Sequence, residues 1–312
     1  MALAHRARRR LPISAPTGVG IFAMRRLAHR THLACLLALL AACGAGERGD
    51  SRVARTEPPP PTPPQRIVSL SPAVTELLYA LGAGERVVGR TTWCDYPPQV
   101  RAVPSVGDGL SPNLEAIAAR RPDLVVLYRS ALNETAARRL GELGIATAVL
   151  RQDRLEDLAA DAQLLGRLTG RAAAGDSIAR VVARILAAPA PDLGLRVAFV
   201  VWDNPPMVIG RASYLDQLAG LAGARNAFHD LGTASAVVSL ETIAARDPDV
   251  VVVLADTGPP RAPAFASRRE WQAIRAVRER RFVELTGSLF GRPSPRAAAA
   301  VAAFHRLLEA AR

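Results

Sequence analysis

The sequence has 312 residues, of which 49% are hydrophobic and 22% charged. This composition excludes collagen-like, coiled-coil and wholly disordered chains, and the length indicates two domains or one large one. All 40 basic residues behind the formal net charge of +12 are arginines. Seven of them fall within residues 1–43, which contain no acidic residue, and the others are scattered, so the charge does not favour a nucleic-acid binder.

Residues 24–43 have the pattern of an export signal. A charged stretch from Met24 to Arg30 precedes the apolar segment 33–42, which is too short to span about 30 Å of hydrocarbon. The segment ends in Leu-Ala-Ala-Cys, which resembles a lipobox, where the cysteine is lipidated and becomes the mature N-terminus. We therefore predict an extension plus lipoprotein signal peptide over 1–43, with Met24 as a second candidate start. A lipid anchor at Cys43 would hold the exported protein in the periplasm or cell envelope; the alternative is an ordinary signal peptide.

Residues 44–65 are polar and then proline-rich, which predicts a semi-extended tether.

From residue 66 onward, short apolar runs alternate with helical patterns. Strands are predicted at 67–70, 87–89, 124–127, 146–150, 196–202, 250–254 and 282–284. Helices are predicted at 75–81, 114–119, 133–143, 214–221, 268–277 and 296–311. A longer helical pattern over 155–188 has a break near Thr169 and Gly170. This alternation predicts parallel sheets with helices on their faces.

An internal repeat relates the two halves of the chain. Residues 113–126 and 239–252 share a Leu-Glu pair, an Ala-rich helix, a Pro-Asp turn and a Val-rich strand. The predicted fold class is therefore α/β, with two similar lobes joined by a single long helix. The predicted boundaries are 66–168 for the N-terminal lobe, 169–190 for the linking helix and 191–312 for the C-terminal lobe.

Enzyme signatures are absent from the sequence. It contains neither a nucleotide P-loop nor a nucleophile elbow, so we predict no catalytic residues. After residue 43 only His229, His305 and Cys94 remain of the histidines and cysteines, so we predict no metal site and no disulfide.

The few large apolar side chains in loops are the candidate ligand-binding residues. Ligands of open α/β sheets bind beyond the carboxyl ends of the strands, where flat apolar side chains suit a bulky ligand. The alternative is that each side chain covers the core of its own lobe. The candidates are Trp93, Tyr96, Tyr128, Trp202, Met207, Leu289 and Phe290.

Several motifs carry a family resemblance. They are Arg-Ile-Val-Ser-Leu-Ser-Pro-Ala-Val-Thr-Glu-Leu at 66–77, Asp-Tyr-Pro-Pro at 95–98, Asn-Pro-Pro at 204–206 and Ser-Pro-Arg at 294–296. From about residue 66 to 312 the chain resembles the helical-backbone substrate-binding proteins of ABC importers, and among them the members that bind corrinoids. The resemblance implies two Rossmann-like α/β lobes with a ligand cleft between them, joined by a single long rigid helix. It implies a monomer that is not an enzyme, needs no cofactor and delivers a ligand such as cobalamin to a permease dimer. It also implies that one glutamate on each lobe docks onto permease arginines; by motif these are Glu115 and Glu241.

The ligand-binding positions depart from the corrinoid pattern. Trp93 stands where a tyrosine is expected, Tyr128 where a tryptophan is expected, and Met207 replaces a phenylalanine. Ser235 falls where the pattern has a tryptophan in the cleft. Because several stacking surfaces are smaller, an iron–siderophore or haem remains an alternative ligand, with Tyr128 or His229 as a haem-iron ligand. An exported α/β enzyme is the alternative of a different class.

Overall fold

The computed structural model describes residues 62–255 and 262–312. The predicted signal peptide, Cys43 and most of the tether lie outside these residues. In the described part of the chain, no helix combines the length and the apolar character that crossing a membrane requires.

The N-terminal lobe contains β1 (Ile67–Ser69), α1 (Pro72–Ala80), β2 (Val87–Arg90), α2 (Leu114–Ala118), β3 (Leu124–Tyr128), α3 (Ala131–Glu142) and β4 (Ala146–Leu150). Its four strands form a parallel sheet with the order β2-β1-β3-β4. The central strands β1 and β3 are almost completely buried because helices cover the sheet, which is why they are continuous apolar runs. In the edge strand β2, buried and half-buried residues alternate.

Two helices lie between the two sheets in the chain: α4 (Leu155–Leu168), at the end of the predicted N-terminal lobe, and α5 (Ala172–Ala187), within the predicted linking helix at 169–190. The predicted break near Thr169 is confirmed. The two helices form a tight antiparallel hairpin, since the Cα atom of Gly175 lies only 3.1 Å from the position that a Cβ atom on Gly166 would occupy.

The C-terminal lobe contains a mixed sheet with the order β10-β9-β5-β6-β8, and β7 pairs with β5. Strands β10, β9, β5 and β7 are parallel, whereas β6 runs antiparallel to β5 and β8. The elements are β5 (Leu195–Asp203), β6 (Pro206–Ile209), α6 (Tyr214–Leu221), β7 (Ala224–Asn226), β8 (Ser235–Val237), α7 (Leu240–Arg246), β9 (Val250–Ala255), α8 (Arg275–Arg278), β10 (Phe282–Thr286) and α9 (Ala297–Ala310).

The fold class predicted from the sequence is confirmed, with local differences in the C-terminal lobe. The predicted helix at 268–277 is wrong in type, because 3-10 turns over Ala264–Ser267 and Arg269–Ala273 precede a single turn of α-helix in α8. Strands β6, β7 and β8 are additional. Each has only three or four residues, too few for a recognisable period.

One apolar core runs through both lobes. It joins residues of α1 and the first sheet to residues of α4, α5, α6, the second sheet and α9. Two smaller clusters lie on the outer faces of the two sheets. The lobes are therefore in apolar contact with each other beneath the cleft described below.

The internal repeat is a repeat of structure as well as of sequence. In the first copy, the carboxylate of Asp123 accepts hydrogen bonds from the backbone amides before β1, including that of Arg66 at 2.9 Å. In the second copy, the carboxylate of Asp249 accepts one from the backbone amide of Arg196 at 2.9 Å. The side chains of Arg66 and Arg196 also donate to carbonyl groups at the end of the short helix that comes before the Pro-Asp turn. In each lobe the Pro-Asp turn thus links the strand that follows it, β3 or β9, to the first strand of the lobe, β1 or β5.

Candidate ligand cleft

A cleft of about 370 Å³ lies between the two lobes. One wall consists of the segments that follow β1, β3 and β4, so it sits at the carboxyl ends of these parallel strands, as expected for an open α/β sheet. The other wall comes from the C-terminal lobe and consists of the start of α6, residue 234 and the loop after β10. The lining residues are Ser71, Pro72, Ala73, Tyr128, Gln152, Asp153, Ala212, Ser213, Tyr214, Ala234, Gly291, Arg292 and Pro293.

Hydrogen bonds hold the polar groups of the N-terminal wall. The Tyr128 hydroxyl donates to Oδ1 of Asp153 at 3.0 Å, and the Ser71 hydroxyl donates to Oε1 of Gln152 at 2.5 Å. Burial first, and the Asp153 carboxylate second, raise the pKa of Tyr128. The phenol is therefore kept protonated, and the wall presents hydrogen-bonding groups rather than a tyrosinate.

A buried carboxyl group lies beneath this wall. Asp161 on α4 borders a small cavity together with Gln152, Leu77 and Pro293. Burial and then the neighbouring carboxylate of Asp157 raise the pKa of Asp161 to about 8, although a nearby arginine opposes the shift. The side chain is therefore a neutral carboxylic acid near neutral pH.

An ion cluster joins the lobes beside the cleft. Glu76 of α1, which is 3% exposed, accepts hydrogen bonds from Arg292 at 2.8 Å and from Arg296 at 2.7 Å. Arg292 also donates to Asp95 at 2.7 Å. Glu76 and Arg296 belong to two motifs of the family resemblance, at 66–77 and 294–296. The sequence does not predict that these motifs meet, because no local pattern relates residues 220 positions apart.

An apolar row crosses the end of the second sheet. In the strand register, Met207 of β6 lies opposite Trp202 of β5 on one side and Val237 of β8 on the other, so the three side chains lie on one face. Trp202 is 62% exposed and its indole Nε1 donates to the carbonyl of Asn204 at 2.8 Å. Trp202 also lines a pocket of about 340 Å³ at the carboxyl ends of β5 and β9.

The other predicted ligand-binding residues, Trp93, Tyr96, Leu289 and Phe290, do not share one site: they range from exposed loop positions to the core. Trp93 is 61% exposed in the loop after β2. Tyr96 lies against the guanidinium group of Arg296, with 3.8 Å from Cζ to the ring centroid, and it lines a separate groove of about 710 Å³. Leu289 is half-buried against the core, and Phe290 is only 5% exposed within it. For Phe290 the structure thus supports the alternative reading, that the side chain covers the core of its own lobe.

Glu115 and Glu241 occupy equivalent places in the two lobes. Both are exposed and both lie in the first turn of a short helix, α2 or α7. The helices begin with matching side-chain caps from Asn113 and Ser239. A hydrogen bond from Ser239 lowers the pKa of Glu241. The repeat therefore presents an exposed acidic side chain on each lobe.

His229 and Cys94, two of the three histidines and cysteines after residue 43, lie within hydrogen-bond distance of polar side chains. Nδ1 of His229 lies 3.0 Å from Asp216, a residue of α6. Cys94 is buried, with its Sγ atom 3.1 Å from the Thr75 hydroxyl and 3.2 Å from that of Thr91. Within 62–255 and 262–312, no three His, Cys, Asp or Glu side chains converge in a way that could hold a metal ion.

The sequence profile of the periplasmic binding protein family matches residues 67–289, which is more than half of the chain. The chain belongs to this family. Among curated relatives, the vitamin B12-binding protein of Pectobacterium carotovorum is 29% identical over 198 residues, covering 61% of this chain and 71% of the relative. YvrC of Bacillus subtilis, an uncharacterized ABC transporter substrate-binding lipoprotein, is 28% identical over 248 residues, covering 75% and 76%.

Solved structures of periplasmic binding proteins have the same fold. The vitamin B12-binding protein BtuF of Vibrio cholerae superposes with a TM-score of 0.65 at 24% identity, covering 80% of this chain and 99% of that one. The haem-binding protein RhuT of Roseiflexus sp. RS-1 superposes with a TM-score of 0.69 at 25% identity, with the same coverage. The fold is thus shared with a vitamin B12-binding protein and a haem-binding protein.

Proposed function

We propose that this periplasmic binding protein captures a corrinoid in the cleft between its lobes and delivers it to an ABC importer. In this proposal it is an exported monomer, lipid-anchored at Cys43, with no catalytic activity and no cofactor of its own. The observation that carries the proposal is the position of the cleft, at the carboxyl ends of the strands and between two lobes, in a chain whose curated relatives bind vitamin B12.

Tyr128 is the proposed contact residue that lines the cleft itself, and the other large apolar side chains at the strand ends also suit a bulky, flat ligand. The row of Trp202, Met207 and Val237 offers an exposed apolar face at the end of the second sheet. Trp93 and Tyr128 follow or end strands of the first sheet. We propose Trp93, Tyr96, Tyr128, Trp202, Met207 and Leu289 as ligand-contacting residues; Phe290 would act only through the core beneath them.

Haem is the second candidate ligand, since RhuT superposes well on this chain. The local chemistry favours a corrinoid over haem. A tyrosine that ligates ferric iron must lose its proton, whereas the Tyr128 phenol donates to a carboxylate that stabilises the protonated form. His229 is not among the residues that line the cleft. Tyr214 does line it, and burial raises the pKa of its phenol, so this hydroxyl is also kept protonated. Cobalamin carries its own axial ligand and needs no deprotonated side chain from the cleft.

The decisive experiment is a fluorescence titration of the full chain with cyanocobalamin, haem and ferric siderophores. The chain has three tryptophans, of which Trp93 and Trp202 are exposed and Trp271 is buried. We expect cyanocobalamin at micromolar or lower concentration to quench the emission. Quenching by haem or a ferric siderophore alone would refute the corrinoid proposal.

Single-tryptophan variants make the titration specific. A chain that retains only Trp202 is expected to be quenched by bound ligand, because this indole lies on the exposed apolar row. A chain that retains only Trp271 is the matched control, since its indole packs on Phe265 inside the C-terminal lobe and should be quenched less than Trp202. Free tryptophan titrated in parallel corrects for absorption of light by the ligand. Equal quenching of both chains after this correction would contradict binding next to Trp202.

Delivery requires docking to a permease, and we propose Glu115 and Glu241 as the docking residues. Their equivalent exposed positions on the two lobes suit a permease dimer that presents one basic group to each lobe. The charges would set the register of docking rather than ligand affinity.

A further inference from the structure

The contact between the lobes has an apolar part and an ionic part. The apolar part is the core shared by α1, α4, α6 and α9. Apolar burial is non-directional, so it favours contact between the lobes without selecting one relative orientation. Hydrogen bonds between charged groups require specific distances and angles, and therefore can select one orientation.

The ionic part has the geometry that such selection needs. Arg296 donates from Nε and Nη2 to both oxygens of the Glu76 carboxylate at 2.7 Å. Arg292 donates from Nε to Oε1 of the same carboxylate at 2.8 Å. Glu76 belongs to the N-terminal lobe and both arginines to the C-terminal lobe. Every one of these hydrogen bonds therefore crosses between the lobes.

The cluster is neutral as a whole and mostly withdrawn from solvent. The side chains of Glu76, Arg292 and Arg296 are 2%, 18% and 20% exposed, and Asp95 supplies the second negative charge. Removing the Glu76 charge would leave two partly buried guanidinium groups with Asp95 as the one negative charge of the cluster. The lobes could then relieve this imbalance by moving apart and admitting water.

The cluster stands between two cavities. Arg292 lines the cleft, and Arg296 lines the groove of about 710 Å³ on the other side, where it stacks on Tyr96. A change in the hydrogen bonds of Glu76 therefore acts directly on the wall of the cleft.

We propose that Glu76 is a positioning residue: through Arg292 and Arg296 it fixes the relative orientation of the two lobes and with it the width of the cleft. The consequence for ligand binding rests on the proposed function, whereas the consequence for lobe orientation does not. The two consequences can therefore be measured separately.

The test is a lobe-to-lobe distance measured by pulsed electron paramagnetic resonance on the full chain. Spin labels are placed at Leu143→Cys in the N-terminal lobe and Ala302→Cys on α9, both exposed positions. The native Cys94 is buried, and Cys35 and Cys43 are replaced by serine in every sample so that only the two introduced cysteines are labelled. We expect one narrow distance distribution in the otherwise wild-type protein. Glu76→Gln is expected to lose this single distance and to populate longer ones. Arg296→Lys, which keeps the charge but not the two-pronged contact, tests the same idea should Glu76→Gln fold poorly, and is expected to broaden the distribution.

The matched control is Arg275→Gln. Arg275 bonds Asp247 at 2.8 Å and Asp249 at 2.7 Å, so it also joins two carboxylates, but within the C-terminal lobe. This variant is expected to lose stability and to retain the single lobe-to-lobe distance. An unchanged distance in both Glu76→Gln and Arg296→Lys, or the same broadening in Arg275→Gln, would overturn the proposal.

Ligand affinity is measured in parallel with cyanocobalamin as the probe. For Glu76→Gln we expect cobalamin to bind about tenfold more weakly, the equivalent of about 1.4 kcal/mol. If the unmodified chain binds no cobalamin, the corrinoid proposal fails while the distance measurement still decides the role of Glu76. Unchanged cobalamin affinity together with a changed distance would refute the link between lobe orientation and cleft width.

Discussion

Because α4 and α5 pack tightly, we predict that a glycine-to-alanine substitution between them lowers the stability of the protein instead of raising it. Replacing a helical glycine by alanine normally stabilises a protein by up to about 1 kcal/mol, because alanine has the higher helix propensity. Gly175 lies in α5, and a Cβ atom on it would stand 2.3 Å from the carbonyl oxygen of Ala162 in α4. We therefore expect Gly175→Ala to destabilise the protein.

The structure sets the size of the effect. The new Cβ atom must move from 2.3 Å to at least 3.0 Å from a backbone oxygen, which only a separation of the two helices can provide. Overpacking of this kind costs about 1–3 kcal/mol, and the rigid backbone partner places this site in the upper part of that range. After subtraction of the propensity gain of about 1 kcal/mol, the net loss is about 1–2 kcal/mol. For a domain of this size each kcal/mol lowers Tm by about 2–4 °C.

Thermal and urea unfolding of the purified chain, followed by circular dichroism, measure this loss. Gly141→Ala is the matched control, because Gly141 lies in α3 with open space around its Cβ position. The control should be neutral or stabilised by up to about 1 kcal/mol. If Gly175→Ala proved as stable as Gly141→Ala, the close approach of the two helices would not exist in solution.

The remaining predictions concern binding, transport and pH. Trp202→Ala should weaken cobalamin binding about tenfold in a fluorescence or calorimetric titration, through loss of an aromatic contact surface, and unchanged affinity would remove Trp202 from the site. Glu115→Ala with Glu241→Ala should leave that affinity intact but abolish uptake of labelled cobalamin by cells that express the cognate permease; normal uptake would contradict the docking assignment. Asp161 has a native pKa of about 8 against an ordinary value of 3.8, so folding favours its protonated form and this contribution to stability is lost as pH rises through that interval. The free energy of unfolding of the wild type, minus that of Asp161→Asn, should therefore fall from acidic to mildly alkaline pH. If this difference did not change with pH, the carboxyl group would not be buried as the structure shows.

Much of the fold could be predicted from local patterns. The strand at 146–150 has the predicted bounds, and the break between α4 and α5 falls at the predicted Thr169. These features depend on the period of apolar residues and on Gly and Pro signals, which act over a few neighbouring residues. The short strands β6 and β8 were missed because they pair at a sheet edge and contain too few residues to show a period.

The candidate site could be predicted only in part. The sequence indicates which aromatic residues follow strands, but not where their side chains lie. Phe290 packs into the core, and Tyr96 stacks on Arg296 beside a second groove. Both outcomes depend on how α9 and the loop after β10 approach the N-terminal lobe, and nothing in the sequence near either residue specifies that approach.

The sequence by itself determined the α/β class, the repeated helix–turn–strand unit and the acidic residue on each copy of it. These properties follow from side-chain periodicity and from turn residues, whose effects are local. Only the tertiary structure decided that Glu76 meets Arg292 and Arg296, and that a cleft opens beside them. Charge pairing across more than 200 residues depends on the positions of whole elements, which the packing of both lobes on one shared core establishes.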